Sequence, residues 1–468
     1  MANKKDKDKI KICFIGENAN EVTGSVILIK YNNKQILLEM GAYQSSNFIT
    51  DFKINSKPFK DFKAKDINYV FLNHTHFDHV GLIPKLVGVG FRGEIITTIA
   101  TKEFMKPMLI NSARIVAKDA ITLKREPYYF ESDVYDAIDR TIGYEYNKTI
   151  WLDEEIGFNF LNNSHCTGAA QLELYIKRNN NIEKILYTSD LGSPKTENHY
   201  VDDLQKCKKA RIVISEATYA NRPSKGKLNR AKDLEKLKTV IDKTIEDGGK
   251  VLIPVFAFGR SIEILTNIYN IYGEDENFKT SIICDSPLLY EMMKVQSGVL
   301  SEEDTELFNK VVNWKNVRFV KEHSESKALL SDKTPCVVLS SSGMLDKGRS
   351  LQHLKSIISK SNCHVLFCGY CGENTVGRKI MNGQKNVRIE GKNYRCNCNI
   401  TTLTSFSGHI SHEHLLSYLS NIQCEKVALV HGNQVDKIIF KDTLEKEYGK
   451  KDSCTKVLAV QKGTVITI

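Results

Sequence analysis

This 468-residue chain has no apolar run close to the roughly 20 residues that a membrane-spanning helix needs. Its first residues are charged, and no apolar segment typical of a secretion signal follows them. Internal repeats, proline-rich linkers and low-complexity segments are also missing. These absences argue against membrane, secreted and disordered proteins, so we expect a globular protein of the cytoplasm with no membrane partner.

The cysteines lack the regular spacing of a secreted disulfide framework, although there are twelve of them. In a chain without a signal peptide they are expected to be reduced thiols. One group leaves a structural zinc site open, because a Cys-x₂-Cys pair is followed by a Cys-x-Cys pair. Its members are Cys363, Cys368, Cys371, Cys396 and Cys398.

The composition is that of a globular protein, with 41% hydrophobic and 26% charged residues. A chain of this length is too long for one ordinary core, so two or more domains are expected. The net charge of +10 favours an anionic partner such as nucleic acid but does not establish one.

The densest chemical signal is the stretch His74-Thr75-His76-Phe77-Asp78-His79, directly after the apolar run Tyr69–Leu72. Imidazole and carboxylate groups are ligands suited to Zn²⁺. At the end of a buried strand, His74, His76 and Asp78 would point one way and His79 could turn toward a second ion. The alternative is a polar loop with chance histidines.

Other polar residues that suit a metal site also follow apolar runs. We expect His165 to complete a first site with His74 and His76, and Asp190 to bridge two ions. The second site would then take Asp78, His79, Asp190 and His431. Each of these residues also has an ordinary interpretation as a polar loop residue, a turn cap or a strand-end histidine.

Two metal ions roughly 3.5–4 Å apart can clamp a phosphate and lower the pKa of a bridging water, which gives a hydroxide nucleophile at neutral pH. A phosphodiester also needs a general acid for its leaving oxygen. His409 is the candidate acid, and Glu216 could hold its ring by a hydrogen bond. Otherwise His409 is a turn residue and Glu216 an exposed acid at a strand end.

The middle of the chain has a different pattern, in which apolar runs alternate with helical segments as in a parallel α/β domain. Hairpin-like strands and the late histidines follow it. One α/β domain split by an inserted one is therefore predicted. Residues 1–216 and 396–468 would form the split domain, and residues 217–395 the insertion.

In this order, the residues resemble the β-CASP branch of the metallo-β-lactamase superfamily, nucleases of RNA processing and DNA repair. The resemblance runs nearly end to end and is to compact members without appended domains. It is carried by His74–His79, His165, Asp190, Glu216, Phe406-Ser407-Gly408-His409, Val430-His431-Gly432, Pro254–Arg260 and Asp285–Leu288.

The resemblance implies an αββα sandwich split by a β-CASP α/β domain. It also implies a two-zinc centre, with Mn²⁺ as the alternative metal, that hydrolyses RNA by a metal-bridged hydroxide. In this family a histidine at the position of His431 accompanies RNA substrates. Two loops would hold RNA phosphates through backbone N–H and guanidinium groups or, alternatively, serve only as turns and caps: Ser341, Ser342 and Gly343, and Thr375, Gly377 and Arg378.

Two residues depart from the family pattern. Glu39 stands where the family has an aspartate that buttresses a metal-binding histidine, and Ser411 stands where an aspartate is common. Three rival interpretations remain: a DNA nuclease, a hydrolase of small esters, thioesters or lactams, and an RNA-binding subunit with an inactive site. The sequence leaves open internal or 5′-3′ exonucleolytic cleavage, and also a homodimer.

Overall fold

The structure is a computed structural model that describes residues 8–179, 181–195, 198–222, 229–369, 371–372 and 375–468. Its residues form two compact units. The first unit comprises Met1–Glu197, Val201–Lys225 and His409–Ile468, and the second comprises Asn198–Tyr200 and Gly226–Gly408. Elements are numbered below in chain order. No helix in the described residues is both long and apolar enough to cross a membrane.

The first unit contains two sheets. In spatial order, the first sheet consists of β22 (Val465–Thr467), β1 (Lys11–Phe14), β2 (Ile27–Tyr31), β3 (Lys34–Leu38), β4 (Tyr69–Phe71), β5 (Glu94–Thr98) and β6 (Thr141–Tyr144). The second consists of β21 (Lys456–Ala459), β20 (Lys426–Val430), β11 (Ile212–Glu216), β10 (Asn181–Tyr187), β9 (Ala170–Arg178), β8 (Ile156–Asn162) and β7 (Ile150–Trp151).

The two sheets pack face to face. Alternate residues of β2 point to opposite faces, so Ile27 and Ile29 join the core between the sheets while Leu28 packs under helices. Phe71 of β4 and Phe158 of β8 meet across the core with ring centroids 5.2 Å apart. Strand β4 is apolar throughout because both faces of the sheet are covered there. Strand β9 instead alternates, with Leu172, Leu174 and Ile176 in the core between the sheets and Gln171, Glu173 and Lys177 on the other face.

Helices cover the two outer faces. Against the first sheet lie α1 (Phe48–Asn55), α2 (Phe77–Val80), α3 (Ile83–Gly88), α4 (Ile99–Leu123) and α5 (Glu131–Asp139). Against the second lie α13 (His412–Ser420) and α14 (Gln434–Gly449). This is the predicted αββα sandwich.

The second unit is built on a parallel sheet, in which β14 (Val317–Phe319), β13 (Ser281–Asp285), β15 (Cys336–Ser340), β12 (Lys250–Pro254), β16 (His364–Phe367) and β19 (Asn399–Thr402) lie in that order. Its helices are α6 (Arg230–Glu246), α7 (Arg260–Tyr272), α8 (Pro287–Val299), α9 (Glu302–Val312), α10 (His323–Ser331), α11 (Gly348–Ile357) and α12 (Val376–Met381). A hairpin of β17 (Asn386–Ile389) and β18 (Lys392–Arg395) is separate from this sheet.

The limits of the second unit differ from the predicted insertion, 217–395. Strand β19 pairs in parallel with β16 from His364↔Asn399 to Phe367↔Thr402, so residues just after 395 belong to the inserted sheet. The sequence shows a short strand here but does not show the strand with which it pairs. The predicted boundary at residue 396, where the first domain was expected to resume, therefore lies too early in the chain.

Candidate active site

The predicted metal-type residues of the first unit lie just after, or at the last residue of, strands whose carboxyl ends meet at one edge of the sandwich. β4 leads into His74–His79, β8 into His165, β10 into Asp190 and β20 into His431, while Glu216 is the last residue of β11. Loops at such an edge can carry reactive groups because the strands below them are rigid. The structure places His74, His79, His165, Asp190 and His431 in buried positions.

One group contains His74, His76, His165 and Asp190. His76 Nδ1 lies 3.0 Å from His74 Nε2 and 3.2 Å from His165 Nε2. Asp190 Oδ2 lies 3.7 Å from each of the nitrogens His74 Nε2 and His165 Nε2. Tetrahedral Zn²⁺ with bonds of 2.0–2.1 Å would place ligand nitrogens roughly 3.3 Å apart, so this arrangement fits a metal ion.

A second group contains Asp78, His79 and His431. Asp78 Oδ2 lies 3.5 Å from His79 Nε2 and 3.4 Å from His431 Nε2. Asp190 Oδ2 is 3.4 Å from His79 Nε2, so the same oxygen that belongs to the first group also borders the second. Asp190 thus borders both groups, and its role as a bridging ligand stays a prediction.

Burial and charge in these groups suit metal ions better than protons. His79 Nε2 and Asp190 Oδ1 are buried and make no hydrogen bond to any described residue. Burial and the neighbouring imidazoles hold the pKa of His74 well below its ordinary value, and burial lowers the pKa of His76 to about 4. Although burial opposes it, the imidazoles of His431 and His79 hold the pKa of Asp190 well below its usual range. His74 and His76 are therefore neutral beside an ionised Asp190, which is the donor state that a divalent cation requires. At His79 burial lowers the pKa, but the carboxylates of Glu39, Asp190 and Asp78 outweigh it and raise the pKa well above its ordinary value, so a positive charge is favoured there.

His409 and Glu216 form a pair beside these groups. His409 Nδ1 lies 3.2 Å from both carboxylate oxygens of Glu216. The carboxylate is held in turn by the backbone N–H groups of Leu191, at 2.5 Å, and Thr218, at 3.3 Å. His409 Nε2 faces the metal-type residues, 4.0 Å from Asp190 Oδ2. Although burial lowers it, the carboxylates of Glu216 and Asp190 raise the pKa of His409.

The two departures from the family pattern have clear local roles. Glu39 is fully buried and accepts a hydrogen bond from His79 Nδ1 at 2.5 Å. Ser411 caps the N-terminus of α13, where its Oγ accepts from the backbone N–H of His414 at 3.3 Å. Serine is among the preferred residues at that position, so helix capping does not require the aspartate.

The predicted phosphate-binding residues lie in the second unit, where their two loops contact each other. Gly377 N donates to Met344 O at 3.0 Å, and a Cβ on Gly377 would lie 2.6 Å from the same oxygen. Thr375 caps α12 by accepting from Arg378 N at 3.2 Å. Ser341 Oγ lies 2.7 Å from Ser286 Oγ, Ser342 Oγ bonds Asp346, and Gly343 packs on the ring of Phe256. A phosphate-binding role for these loops stays a prediction.

The cysteine group does not assemble into a zinc site. Cys396 and Cys398 have Sγ atoms 3.9 Å apart, whereas Cys368 and Cys371 contact the backbone oxygens of Leu366 and Gly343. Among the described residues, cysteine joins no group of three or more ligand-type side chains.

Sequence reasoning missed two hydroxyl groups at the site. Tyr187 OH and Ser189 Oγ donate to the Glu39 carboxylate at 2.6 and 2.7 Å. Both flank the strand end that leads to Asp190, and this position was the one signal that could have drawn attention to them.

Three family models and a curated relative identify the family of this chain. Residues 19–159 match the metallo-β-lactamase superfamily, 261–380 the β-CASP domain, and 393–455 a Zn-dependent metallo-hydrolase RNA specificity domain. A ribonuclease of Thermus thermophilus is 31% identical over 423 residues, which cover 89% of this chain and 92% of that protein. The chain belongs to the β-CASP family of the metallo-β-lactamase superfamily.

A further relative and a solved structure are similar to this chain. The transcription termination factor FttA of Methanocaldococcus jannaschii is 26% identical over 94% of this chain and 70% of its own length. A solved structure of a protein of unknown function from Enterococcus faecalis V583 covers 98% of this chain and 100% of that one, with a TM-score of 0.56 and 13% identity. The last likeness concerns the fold alone. A β-CASP insertion also argues against the rival hydrolase of small esters, which needs no such domain.

Proposed function

We propose that this β-CASP protein is a zinc-dependent ribonuclease that hydrolyses RNA phosphodiester bonds, with His409 as the general acid. The observation that carries the proposal is the His409–Glu216 pair beside the histidine and aspartate groups. A histidine held in this way is placed to protonate the alkoxide that leaves when a phosphodiester is hydrolysed.

The donor set suits two zinc ions. His74, His76, His165 and Asp190 would hold one ion, and Asp78, His79, Asp190 and His431 the other. When bound, zinc supplies Lewis acidity that polarises a phosphate and lowers the pKa of water. Mn²⁺ is the alternative metal, since the carboxylates of the set also suit it.

The residues of the chain supply orientation and the proton. Glu216 accepts from His409 Nδ1–H and is itself held by two backbone N–H groups, so the ring has a defined direction. His409 Nε2–H is then directed toward the leaving oxygen, which it protonates as the P–O bond breaks. In the second unit, the loops at Ser341–Gly343 and Thr375–Arg378 would bind phosphates of the RNA.

RNA rather than DNA is supported by two observations. Residues 393–455 match an RNA specificity domain, and the relative with 31% identity is named a ribonuclease. His431, which lies in that stretch, is also the residue type that accompanies RNA substrates in this family.

The test is cleavage of matched RNA and DNA oligonucleotides, labelled at the 5′ or the 3′ end, by wild type and Asp78→Ala. We expect wild type to cut RNA, chelator to abolish cutting, zinc or Mn²⁺ to restore it, and Asp78→Ala to be inactive. Asp136→Ala, which removes an exposed carboxylate of α5, is the control and should behave as wild type. Equal activity of Asp78→Ala, or cutting of DNA alone, would overturn the proposal. The labelled products also separate internal cutting from 5′-3′ exonucleolytic cutting.

A further inference from the structure

The Glu39 carboxylate is held from three sides by groups of the first unit. Oε2 accepts from His79 Nδ1–H at 2.5 Å and from Tyr187 OH at 2.6 Å, while Oε1 accepts from Ser189 Oγ–H at 2.7 Å. Glu39 is fully buried, and burial together with the carboxylate raises the pKa of Tyr187 well above its ordinary value. The phenol therefore stays protonated and remains a donor.

The same Ser189 hydroxyl reaches a second histidine. His74 Nδ1 lies 3.3 Å from Ser189 Oγ but 3.9 Å from Glu39 Oε1, which is too far for a direct hydrogen bond. The distances thus fit two consecutive hydrogen bonds, in which His74 Nδ1–H donates to Ser189 Oγ and Ser189 Oγ–H donates to Glu39. His79 needs no such intermediary.

His74 lies with His76 and His165 in one metal-type group and His79 with Asp78 and His431 in another, and both histidines also lie within ligand distance of Glu39. A proton fixed on Nδ1 of an imidazole leaves the Nε2 lone pair for a metal ion. One carboxylate therefore directs one ligand nitrogen toward each group, directly in one case and through a hydroxyl in the other.

The backbone at both residues lies in a conformation that side chains disfavour. Ser189 has φ 49° and Glu39 has φ 61°, in the left-handed region that glycine adopts without strain. Glycine at position 189 would remove this strain, so what serine adds there is its hydroxyl. A strained residue whose side chain links a carboxylate to a ligand-type histidine suggests a functional reason for its presence.

We propose that Ser189 and Tyr187 are positioning residues that hold Glu39, so that its single carboxylate orients His79 directly and His74 through the Ser189 hydroxyl. The inference rests on the proposed function to the extent that these histidines bind metal. Its consequence is specific to this chain. Glu39→Asp restores the residue that the family pattern has, yet it should weaken metal binding, because the shorter side chain withdraws from both hydroxyls.

The experiment is a competition titration of the metal-free protein with zinc against a chromophoric chelator, with Co²⁺ absorption spectra as the second readout. Wild type should bind two ions. Ser189→Gly should weaken binding roughly 10–100-fold, mostly at the site that contains His74, as expected for loss of a group that orients a ligand. Tyr187→Phe and Glu39→Asp should weaken both sites and change the Co²⁺ spectrum.

Ser164→Gly is the matched control. Ser164 also has a positive φ, 63°, and precedes a ligand-type residue, His165, but its hydroxyl makes no hydrogen bond to a described residue. It should keep wild-type zinc affinity. Denaturant unfolding of each metal-free protein shows that it is folded. A loss of zinc affinity in Ser189→Gly that falls mostly on the site with His74 then separates a positioning role from a general structural one, which would weaken both sites alike.

Wild-type zinc affinity in both Ser189→Gly and Tyr187→Phe would overturn the inference. Weaker binding in Ser189→Gly that is matched by equal weakening in Ser164→Gly would also overturn it, since backbone change alone would then explain the effect. If wild type itself binds no zinc, the proposed function fails instead, so the two failures are distinguishable.

Discussion

At the scale of single residues, His409 differs from the other histidines of the site in its surroundings. Its side chain is 16% exposed, whereas those of His74 and His79 are 0% and 1% exposed. Its Nδ1 lies beside the Glu216 carboxylate, as that of His79 lies beside Glu39, so exposure is what distinguishes His409 from His79. A histidine that is oriented by a carboxylate and reachable from solvent can exchange its proton with a substrate and then recover it.

We therefore expect His409→Ala to slow RNA cleavage by roughly 10²–10⁴-fold, the usual contribution of a general acid. The loss should nearly disappear on an oligonucleotide in which sulfur replaces the leaving oxygen, because a thiolate departs without protonation. Single-turnover rates on the two substrates, with metal content measured on the same samples, provide the comparison.

His412→Ala is the control for this experiment. His412 lies three residues further on, and its Nδ1 bonds the backbone oxygen of Ala220 at 2.5 Å rather than a carboxylate of the site. The His412→Ala variant should cleave both substrates at wild-type rates. An equally large loss on both substrates in His409→Ala would rule out the acid role.

Residue types at strand ends were sufficient to predict that the histidines and aspartates gather. Tyr187 and Ser189 could not be predicted in the same way. Their contacts with Glu39 join residues 148 and 150 positions apart, and they depend on positive φ values that no local pattern shows. The residue types that bind metals are few, whereas hydroxyl groups are common, so only the first kind identifies a site from sequence.

At the scale of elements, helix α14 is anchored to the sandwich by a buried lysine. Its inner face is apolar at Phe440, Leu444 and Tyr448, and Lys437 lies on the same face at 0% exposure. Lys437 Nζ donates to Val460 O at 2.6 Å and also to Ala19 O. Burial lowers the pKa of Lys437 to about 8 from its ordinary 10.5.

We expect Lys437→Met to destabilise the protein at all pH values, because two buried carbonyl groups lose their donor, at about 1–3 kcal/mol each. The folded-state pKa lies below the unfolded one, so the unfolded chain binds more protons between pH 8 and 10.5. Wild type therefore gains stability relative to Lys437→Met as pH rises through that window, by up to about 3 kcal/mol.

Denaturant unfolding of both proteins from pH 7 to 10.5 measures this difference. Lys446→Met removes an exposed lysine of the same helix and should show no such trend relative to wild type. A stability gap that narrows above pH 8 would contradict the burial argument.

Helices and strands with strong periodicity could be predicted from the sequence, whereas the neighbours with which the strands pair could be predicted less well. The apolar runs at β12, β13, β15 and β16 and the helices between them follow from local pattern. The assignment of β19 to the inserted sheet does not, because Asn399–Thr402 reads like any short strand until it is paired with β16.

At the scale of the whole molecule, the first unit buries a set of lone pairs and carboxylates that metal ions would compensate. An ion that binds only the folded state stabilises it by about 2.7 kcal/mol when the free ion concentration is a hundred times the dissociation constant. For a unit of this size we expect chelator to lower the unfolding temperature by roughly 5–10 °C.

Calorimetry with and without chelator measures this shift. Asp78→Ala, which lacks one ligand of the second group, should show a smaller shift than wild type, and the exposed-site variant Asp136→Ala should show the full one. If zinc titration shows that the protein has bound metal and chelator still does not change its unfolding temperature, metal binding is not coupled to stability.

The other property of the whole molecule is its charge, with 66 basic and 56 acidic side chains. A polyanionic substrate is drawn to such a surface through release of its counterions, so binding weakens as salt rises. For single strands, the slope of log affinity against log salt is roughly −0.7 for each phosphate that is neutralised. We expect KM for RNA to rise steeply with salt while kcat changes little.

The phosphate-binding role of Arg378 can be tested by the same measurement. If Arg378 binds one phosphate, Arg378→Ala should reduce the magnitude of that slope by roughly 0.7 and weaken binding to RNAs of every sequence alike. Arg388→Ala, an exposed arginine of β17, controls for the loss of one positive charge from the surface. Equal slopes in wild type and Arg378→Ala would remove Arg378 from the RNA-binding surface, whereas equal reductions in both variants would show that net charge, and not a placed guanidinium, determines the salt dependence.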